Sequence, residues 1–168
     1  KALDGLDIVF AETINDAVEQ SDIFSQFSAA LDTATADGDE ITDFETGDAA
    51  AAMASATRVI EAEYRVPYLS HAPMEPMNCT AWVHDGICEL WTGTQNPLGF
   101  AAEVADLLDM DLDDVILHNQ YLGGGFGRRI FSDYVLQAAR IASEVPFPVK
   151  LIWSREEDMR HDHYRQAS

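Results

Sequence analysis

The chain has 168 residues, of which 47% are hydrophobic, and this suits one globular domain with a core of its own. Its formal net charge is −20, from 30 acidic residues against ten Lys and Arg. Such a charge excludes nucleic acid and anionic membrane surfaces as general partners, because both are bound through basic faces. No apolar stretch approaches the length of a transmembrane helix. Since the chain begins at Lys1 and stops just after a charged segment, we expect a piece of a longer polypeptide, and its compartment stays open.

The first third of the chain, residues 1–57, is rich in Ala, Asp, Glu, Thr and Ser and has a weak core pattern. Apolar residues after Ser21 have helical spacing, and Ser21 is predicted to be the N-cap of that helix. Residues 33–43 are predicted to be a polar loop, and 47–53 a short alanine-rich helix. We therefore predict an N-terminal linker or arm over 1–57 and an α/β portion over 58–168.

Beyond residue 57, strand-like and helix-like segments follow one another closely. Strands are predicted at 59–66, 80–84, 87–92, 115–121 and 148–153. Helices are predicted from Pro97 onwards and over 133–143, with Asn96 and Ser132 as their N-caps. The apolar face of the first of these helices would comprise Phe100, Val104, Leu107 and Leu108. This order predicts an α/β or α+β domain, a mixed sheet with helices packed on it.

The two cysteines lie on one predicted hairpin. Asp85-Gly86 is the signal of a two-residue turn, which places Val83 opposite Cys88. Cys79 is then four residues further along the same face, too far for a disulfide at roughly 3.3 Å per residue. We predict that both thiols are reduced and buried, and that they form no zinc site.

The run 122–129, Leu-Gly-Gly-Gly-Phe-Gly-Arg-Arg, places four glycines between a predicted strand and a predicted helix. Glycines allow a ligand to approach the backbone closely, and a helix start offers unpaired N–H groups to an anion. Two explanations stay open: an anion site assisted by Arg128 and Arg129, or a turn required by packing. The run lacks the Lys of a Walker loop, and Arg128 occupies the third-glycine position of a dinucleotide fingerprint.

Other candidate groups give weaker signals. The alternating Asp109, Asp111 and Asp113 lack the glycine and terminal glutamate of a calcium loop, and we predict a helix end and a turn there. His71 and Glu75 flank Pro73, which forbids a regular helix, so they are predicted to fix an irregular loop rather than to bind metal.

Three more polar residues lie outside regular elements. Gln95 lies in a loop between a strand end and a helix start, where ligand contacts are common, although most such residues have no function. His161 and His163 are predicted to be exposed, because nothing in the sequence orients them as ligands.

Taken in order and spacing, these segments resemble the large, molybdenum-binding subunit of the xanthine oxidase family. Within that family they are most similar to the isoquinoline 1-oxidoreductase beta subunit and related aldehyde dehydrogenases. Residues before 58 resemble the link that follows the family's small hammerhead domain. The resemblance is carried by His71-x-x-x-Glu75, Thr94-Gln95-Asn96-Pro97, the glycine run with its double arginine, and 148–158.

The resemblance implies a molybdenum–pterin cofactor, in this branch commonly the cytosine dinucleotide form. The family oxidises N-heterocycles or aldehydes with oxygen derived from water, and passes electrons to an iron–sulfur partner subunit. By this resemblance Gln95 is the catalytic residue of the chain, beside the oxo group of the metal, and no side chain of the chain ligates the metal. The resemblance assigns cofactor binding to Gly124, Gly125, Phe126, Gly127 and Arg128.

One departure concerns the substrate. Purine-oxidising members carry a glutamate where this chain has Ile130, which argues against purine oxidation. The general base and further cofactor loops of the family lie beyond residue 168, so the chain alone is expected to lack activity and cofactor. The alternatives are a stand-alone acidic module that binds an anion through the glycine and arginine loop, and an interaction domain whose arginines dock a partner.

Overall fold

The fold is described from a computed structural model, for residues 18–37 and 43–168. In chain order the regular elements are α1 (Gln20–Asp37), α2 (Ala49–Ser55), β1 (Asn78–His84), β2 (Ile87–Thr92), α3 (Pro97–Leu108), β3 (Val115–Asn119), α4 (Asp133–Ala142), β4 (Val149–Ile152) and α5 (Arg155–Arg160). None of the helices in these ranges is long and apolar enough to cross a bilayer. The contacts of the chain divide it into two compact units, one with residues up to Pro67 plus Ala167–Ser168, the other Tyr68–Gln166.

The second unit is built on a mixed four-stranded sheet of order β3-β2-β1-β4. The predicted hairpin is present: β1 and β2 pair antiparallel with Val83 opposite Cys88, and Asp85 and Gly86 take positive φ at the turn. β4 pairs antiparallel with β1, and β3 pairs parallel with β2. The α+β class with helices packed on a mixed sheet is therefore confirmed.

Helices α3 and α4 bury one face of this sheet. The strands contribute alternate residues to the core, as expected for a half-buried sheet. Phe100 and Val104 of α3 and Tyr134 and Val135 of α4 are fully buried against them. α3 begins as predicted, with Pro97 at the first turn and the Asn96 side chain accepting the Gly99 N–H at 3.2 Å.

The strand predicted at 59–66 is wrong. These residues have no regular structure and are exposed along their whole length. Alternation of apolar residues suffices for a strand only where a neighbouring strand completes the backbone hydrogen bonds. The only strand-like pairing here joins Val66 to Ser168 through two backbone hydrogen bonds of 2.6 and 2.9 Å, within the first unit of the described chain.

Two boundary predictions in the first unit also need correction. α1 continues to Asp37, so 33–37 are helical rather than loop, while 38–42 lie outside the described residues. It starts at Gln20, so Ser21 lies inside the helix rather than at its N-cap, and the Asp22 carboxylate accepts the Glu19 N–H at 3.0 Å. The alanine-rich helix is present as α2, with Asp48 as its N-cap.

In the second unit two side-chain roles differ from the prediction. Ser132 precedes α4 but makes no cap hydrogen bond; its hydroxyl donates to the Glu103 carboxylate instead. Leu107 is 38% exposed, and Ala101 and Ala105 complete the buried face of α3 in its place. β3 ends at Asn119, two residues before the predicted end, because the chain then turns into the glycine run.

Both thiols are free and buried, as predicted. Burial raises the pKa of Cys79 to about 12 and the pKa of Cys88 to about 11. A thiol reacts through its thiolate, so almost no reactive form exists near pH 8 in the folded state. We expect neither thiol to react with a disulfide reagent at pH 8 in the native protein, and both to react within minutes in denaturant. Fast reaction of one thiol without denaturant would contradict the burial.

Candidate functional site

The candidate residues meet at one edge of the sheet, where four strand ends lie side by side. Because β2 and β3 are parallel, their carboxyl ends, Thr92 and Asn119, are register partners. The carboxyl end of β4, Ile152, pairs with Asn78 at the start of β1. The loops that leave or enter the sheet here contain Gln95, the glycine run and the 70–76 segment. Such an edge is where α/β sheets place ligands.

The glycine loop, defined here as 123–127, has a backbone that ordinary residues rarely adopt. Gly124 and Gly127 have φ of +103° and +101°, and even Phe126 has φ of +56°. A Cβ at Gly124 would lie 3.1 Å from the Phe126 ring. The positive φ at Gly124 and Gly127 is the reason that this segment needs glycine.

Three consecutive backbone N–H groups of this loop are unused. Among the described residues, the N–H groups of Gly124, Gly125 and Phe126 have no acceptor. The flanking ones are engaged: the Gly123 N–H donates to Glu75 at 2.8 Å and the Gly127 N–H to Gln95 at 3.1 Å. Successive free N–H groups in a loop with alternating φ form an anion-binding concavity.

Gln95 lies directly against the loop. Its backbone N–H donates to the Arg129 carbonyl at 3.0 Å, and its side-chain Oε1 accepts the Gly127 N–H. That bond fixes the orientation of the amide, so Nε2 is the outward donor, and it has no acceptor among the described residues. A Cβ at Gly125 would lie 2.6 Å from Gln95 Oε1, so the absence of a side chain there lets the amide and the loop meet.

Arg129 holds the loop from behind. Its side chain is fully buried, and its guanidinium donates to the carbonyls of Gly124 at 2.9 Å, Gly93 at 3.3 Å and Glu75 at 3.0 Å. It also forms an ion pair of 3.0 Å with the Glu75 carboxylate. The charge of Arg129 is used within the chain, and it is not offered to an external anion.

Arg128, which the resemblance places among the cofactor contacts, is also fully buried. Its guanidinium makes two hydrogen bonds to Asp133, at 3.0 and 2.8 Å, and its backbone N–H donates to Gly125. Its Nε, 3.6 Å from Asp162, is the one buried side-chain nitrogen or oxygen in the described chain without a hydrogen-bond partner. The guanidinium of Arg128 is therefore engaged within the chain, where it supports the loop.

Glu75 joins the 70–76 segment to the loop, which fits its predicted role in fixing an irregular loop. Its carboxylate accepts from the Gly123 N–H, from Asn78 and from Arg129. Burial alone would raise the pKa of Glu75, but these three partners outweigh burial and hold the pKa below its usual value. The carboxylate is thus a fixed anion that positions the start of the loop.

His71 belongs to the site through a partner that the sequence did not reveal. Its ring Nδ1 lies 2.8 Å from Asp162, which is 91 residues away in the chain. Asp162 lies just after α5 in an acidic and His-rich stretch that carries no motif, so no sequence signal pointed to it. His71 and Glu75 do not bond to each other: Glu75 bonds to Gly123 at the start of the loop, and the His71 ring lies beside Gly127.

The remaining candidates lie away from this edge or are exposed. Asp109 ends α3 in a left-handed conformation, and a short 3₁₀ turn follows at Leu112–Asp114, as predicted. His161 and His163 are exposed, with side-chain exposures of 57% and 46%. Within the described ranges no cluster of three His, Cys, Asp or Glu could hold a metal ion.

The sequence profile of the molybdopterin cofactor-binding domain matches residues 33–168. The chain belongs to this family. The predicted membership of the xanthine oxidase group, as part of a molybdenum-binding subunit, is thereby confirmed. Individual relatives fit the same assignment, among them a xanthine dehydrogenase from Emericella nidulans that is 27% identical over 161 residues, 90% of this chain and 11% of the relative.

Two bacterial relatives are more similar in sequence. The isoquinoline 1-oxidoreductase subunit beta of Brevundimonas diminuta is 37% identical over 66% of this chain. A membrane-bound aldehyde dehydrogenase [pyrroloquinoline-quinone] of Gluconacetobacter polyoxogenes is 37% identical over 70% of it. The chain spans only 14% and 15% of the lengths of these two relatives. It therefore corresponds to one part of a much longer family architecture.

Solved structures of the family share the fold. The aldehyde oxidoreductase from Desulfovibrio gigas matches 72% of this chain, and 14% of its own, with a TM-score of 0.55 and 22% identity. The CO dehydrogenase from Oligotropha carboxidovorans matches 68% of this chain, and 15% of its own, with a TM-score of 0.55 and 24% identity. At these identities the likeness establishes the fold alone.

The donors at this edge suit the group that the family binds. A molybdenum–pterin ligand carries anionic oxygen, and the site presents three free backbone N–H groups with a neutral amide beside them. No described carboxylate lies free at the loop to repel an anion, because Glu75 and Asp162 are both bonded within the chain. The loop therefore fits the group chemically.

Proposed function

We propose that this chain forms the part of a molybdenum hydroxylase large subunit that holds the cofactor at the glycine loop and Gln95. The observation that carries this proposal is the row of unused N–H groups at Gly124, Gly125 and Phe126, which lies beside an outward amide donor. The family membership of the chain makes a molybdenum–pterin group the expected occupant.

The bound cofactor would supply the two-electron redox chemistry by which oxygen from water is introduced into a carbon–hydrogen bond of the substrate. The residues of this chain bind and orient. The N–H groups of 124–126 donate to anionic oxygens, and Gln95 Nε2 donates without adding charge, since its Oε1 is held by Gly127. Both donors are preorganised, because Arg129 and Glu75 fix the loop from behind.

The finer assignments extend the family resemblance to this chain. We propose N-heterocycles or aldehydes as substrates, the cytosine dinucleotide form of the cofactor, and an iron–sulfur subunit as electron-accepting partner. Ile130, three residues after the glycine loop, is 47% exposed and offers no carboxylate to a purine. The chain alone is proposed to be inactive, with residues 1–57 as a linker and 58–168 as the cofactor-binding portion.

The alternative of an acidic module that captures an anion or a partner through its arginines is not favoured. Arg128 and Arg129 have no exposed surface, and each is paired with a carboxylate of the chain. An external anion at the loop would meet backbone N–H groups instead. The interaction-domain alternative fails for the same reason, since neither guanidinium can reach a partner.

The proposed function predicts near-stoichiometric molybdenum in the native polypeptide that contains this chain. The polypeptide is recovered from its source cells with an antibody against this segment, and molybdenum is measured by mass spectrometry together with polypeptide mass. A long polypeptide with molybdenum close to one per chain would support the proposal. A polypeptide of this length without molybdenum would refute it.

A further inference from the structure

His71 is a buried, oriented imidazole at the site to which neither the motifs nor the loop conformation assigns a ligand role. Its side chain is only 7% exposed, yet just one of its two ring nitrogens is bonded. The segment around it is irregular, so the ring position depends on long-range contacts rather than on a helix or strand.

Asp162 fixes the ring. One carboxylate oxygen lies 2.8 Å from His71 Nδ1, and the other accepts the His71 backbone N–H at 2.6 Å and the Ser70 hydroxyl at 2.5 Å. Burial alone would raise the pKa of Asp162, but these hydrogen bonds outweigh burial and hold the pKa below its usual value. Because the carboxylate is ionised, Nδ1 carries a proton and donates it to Asp162. Nε2 is then the ring nitrogen whose partner is not set within the chain.

His71 Nε2 faces the glycine loop. A Cβ at Gly127 would lie 3.5 Å from this nitrogen, and no other side chain stands between them. Among the described residues Nε2 has no hydrogen-bond partner. This nitrogen is also accessible. In the described chain Arg128 Nε is the one side-chain nitrogen that is both fully buried and without a partner, so His71 Nε2, which has no partner, is not fully buried. Gln95 Oε1 accepts the backbone N–H of Gly127, so two polar side chains, Gln95 and His71, flank this glycine.

Charged side chains of the chain itself surround this region, and one of them, Arg165, donates to the Phe126 carbonyl of the loop at 2.9 Å. Asp162 is in direct contact with the His71 ring, and Arg128 Nε lies 3.6 Å from the same carboxylate. Asp158 lies next in this group, and burial, opposed by Arg155 and Arg128, raises the pKa of Asp158. The ring is thus held by one carboxylate whose charge a nearby guanidinium offsets, and its Nε2 is directed at the loop.

We propose that His71 binds the ligand together with the glycine loop. Its Nε2, beside Gly127, would contact an oxygen or nitrogen of the bound cofactor. This inference rests on the proposed function. His71 would add a third type of donor or acceptor to the backbone N–H groups and the Gln95 amide. Asp162 is its positioning residue, because it determines which nitrogen points outward.

A packing role for the ring can be separated from ligand binding by two substitutions. The amide nitrogen of His71→Asn can replace Nδ1 and donate to Asp162, but nothing replaces Nε2. His71→Gln places its amide near the position of Nε2 and weakens the contact with Asp162. If Nε2 binds the ligand, His71→Asn loses molybdenum and His71→Gln retains part of it. If the ring serves only to contact Asp162, His71→Asn retains molybdenum and His71→Gln loses it.

The experiment measures molybdenum per polypeptide after dialysis, together with the thermal unfolding temperature, for the native polypeptide, both variants and a control. The control is His163→Asn, because His163 is an exposed histidine that stacks on Phe131. This variant should retain molybdenum fully. We expect His71→Asn to retain molybdenum at least about tenfold less well at an unchanged unfolding temperature, the effect of one hydrogen bond to a charged group.

The possible outcomes separate this inference from the proposed function. Wild-type retention in His71→Asn would overturn the role of His71 and leave the proposed function intact. Loss in both variants with a lowered unfolding temperature would also overturn it, because the ring would then be structural. Loss in His71→Asn with partial retention in His71→Gln, at an unchanged temperature, supports the role of Nε2, and complete loss in both contradicts it. A wild-type polypeptide without molybdenum would refute the proposed function, and this inference with it.

Discussion

Replacing Gly125 by Val should reduce the molybdenum content of the native polypeptide to below about a tenth while leaving the fold in place. The new Cβ would lie 2.6 Å from Gln95 Oε1 and 2.9 Å from the amide carbon. Gln95 is exposed and can swing away, so the cost to stability is small, but its hydrogen bond to Gly127 is then lost. The site would lose the Gln95 donor and access to the loop N–H groups, each worth roughly tenfold or more in affinity.

The matched control is another glycine whose substitution affects stability alone. Gly86 has φ of +82° in the hairpin turn, and a Cβ there would meet nothing within 4 Å. Gly86→Ala is expected to cost about 1 kcal/mol of stability and no molybdenum. Molybdenum is measured by mass spectrometry and stability by thermal unfolding. A normal metal content in Gly125→Val would contradict the assignment of the loop.

The parts of the fold that were predictable have local causes. Asp85-Gly86 specifies a turn through its own φ values, and Asn96-Pro97 specifies a helix start through one side-chain hydrogen bond. The strand predicted at 59–66 failed because a strand is completed by its neighbours, and these residues are not among the paired strands of the described chain. Local chemistry, including the hairpin pairing that its own turn specifies, therefore transferred from sequence to structure, and pairing between distant segments did not.

The same division holds within the site. The glycine loop stands out in the sequence because close backbone approach requires glycine, whereas Gln95 is singled out by the family resemblance alone. The partners of the double arginine could not be predicted, since sequence adjacency to glycines says nothing of burial: Arg129 reaches Glu75, 54 residues earlier. Asp162 could not be linked to His71 across 91 residues without the sheet that joins the two segments.

The second large effect concerns stability. Arg129→Met should destabilise the protein by about 2–4 kcal/mol, because it removes several hydrogen bonds of a buried guanidinium and leaves carbonyl acceptors unsatisfied. Methionine fills much of the volume, but the carbonyls of Gly124 and Glu75 lose the donor that Arg129 supplies, and the Glu75 carboxylate loses its cation. The free energy of unfolding is measured in urea, with fluorescence of the buried Trp153 as signal.

Arg140→Met supplies the comparison, because Arg140 pairs with Glu144 on the surface at side-chain exposures of 62% and 66%. Such a pair contributes about 0–1 kcal/mol, so this variant should resemble the wild type. Arg129→Lys should lie between the two, since one ammonium group cannot donate in the several fixed directions that the guanidinium uses. If Arg129→Met also lay within about 1 kcal/mol of the wild type, the loop would not depend on this side chain. Its preorganisation would then have to come from Glu75 and the backbone bonds alone.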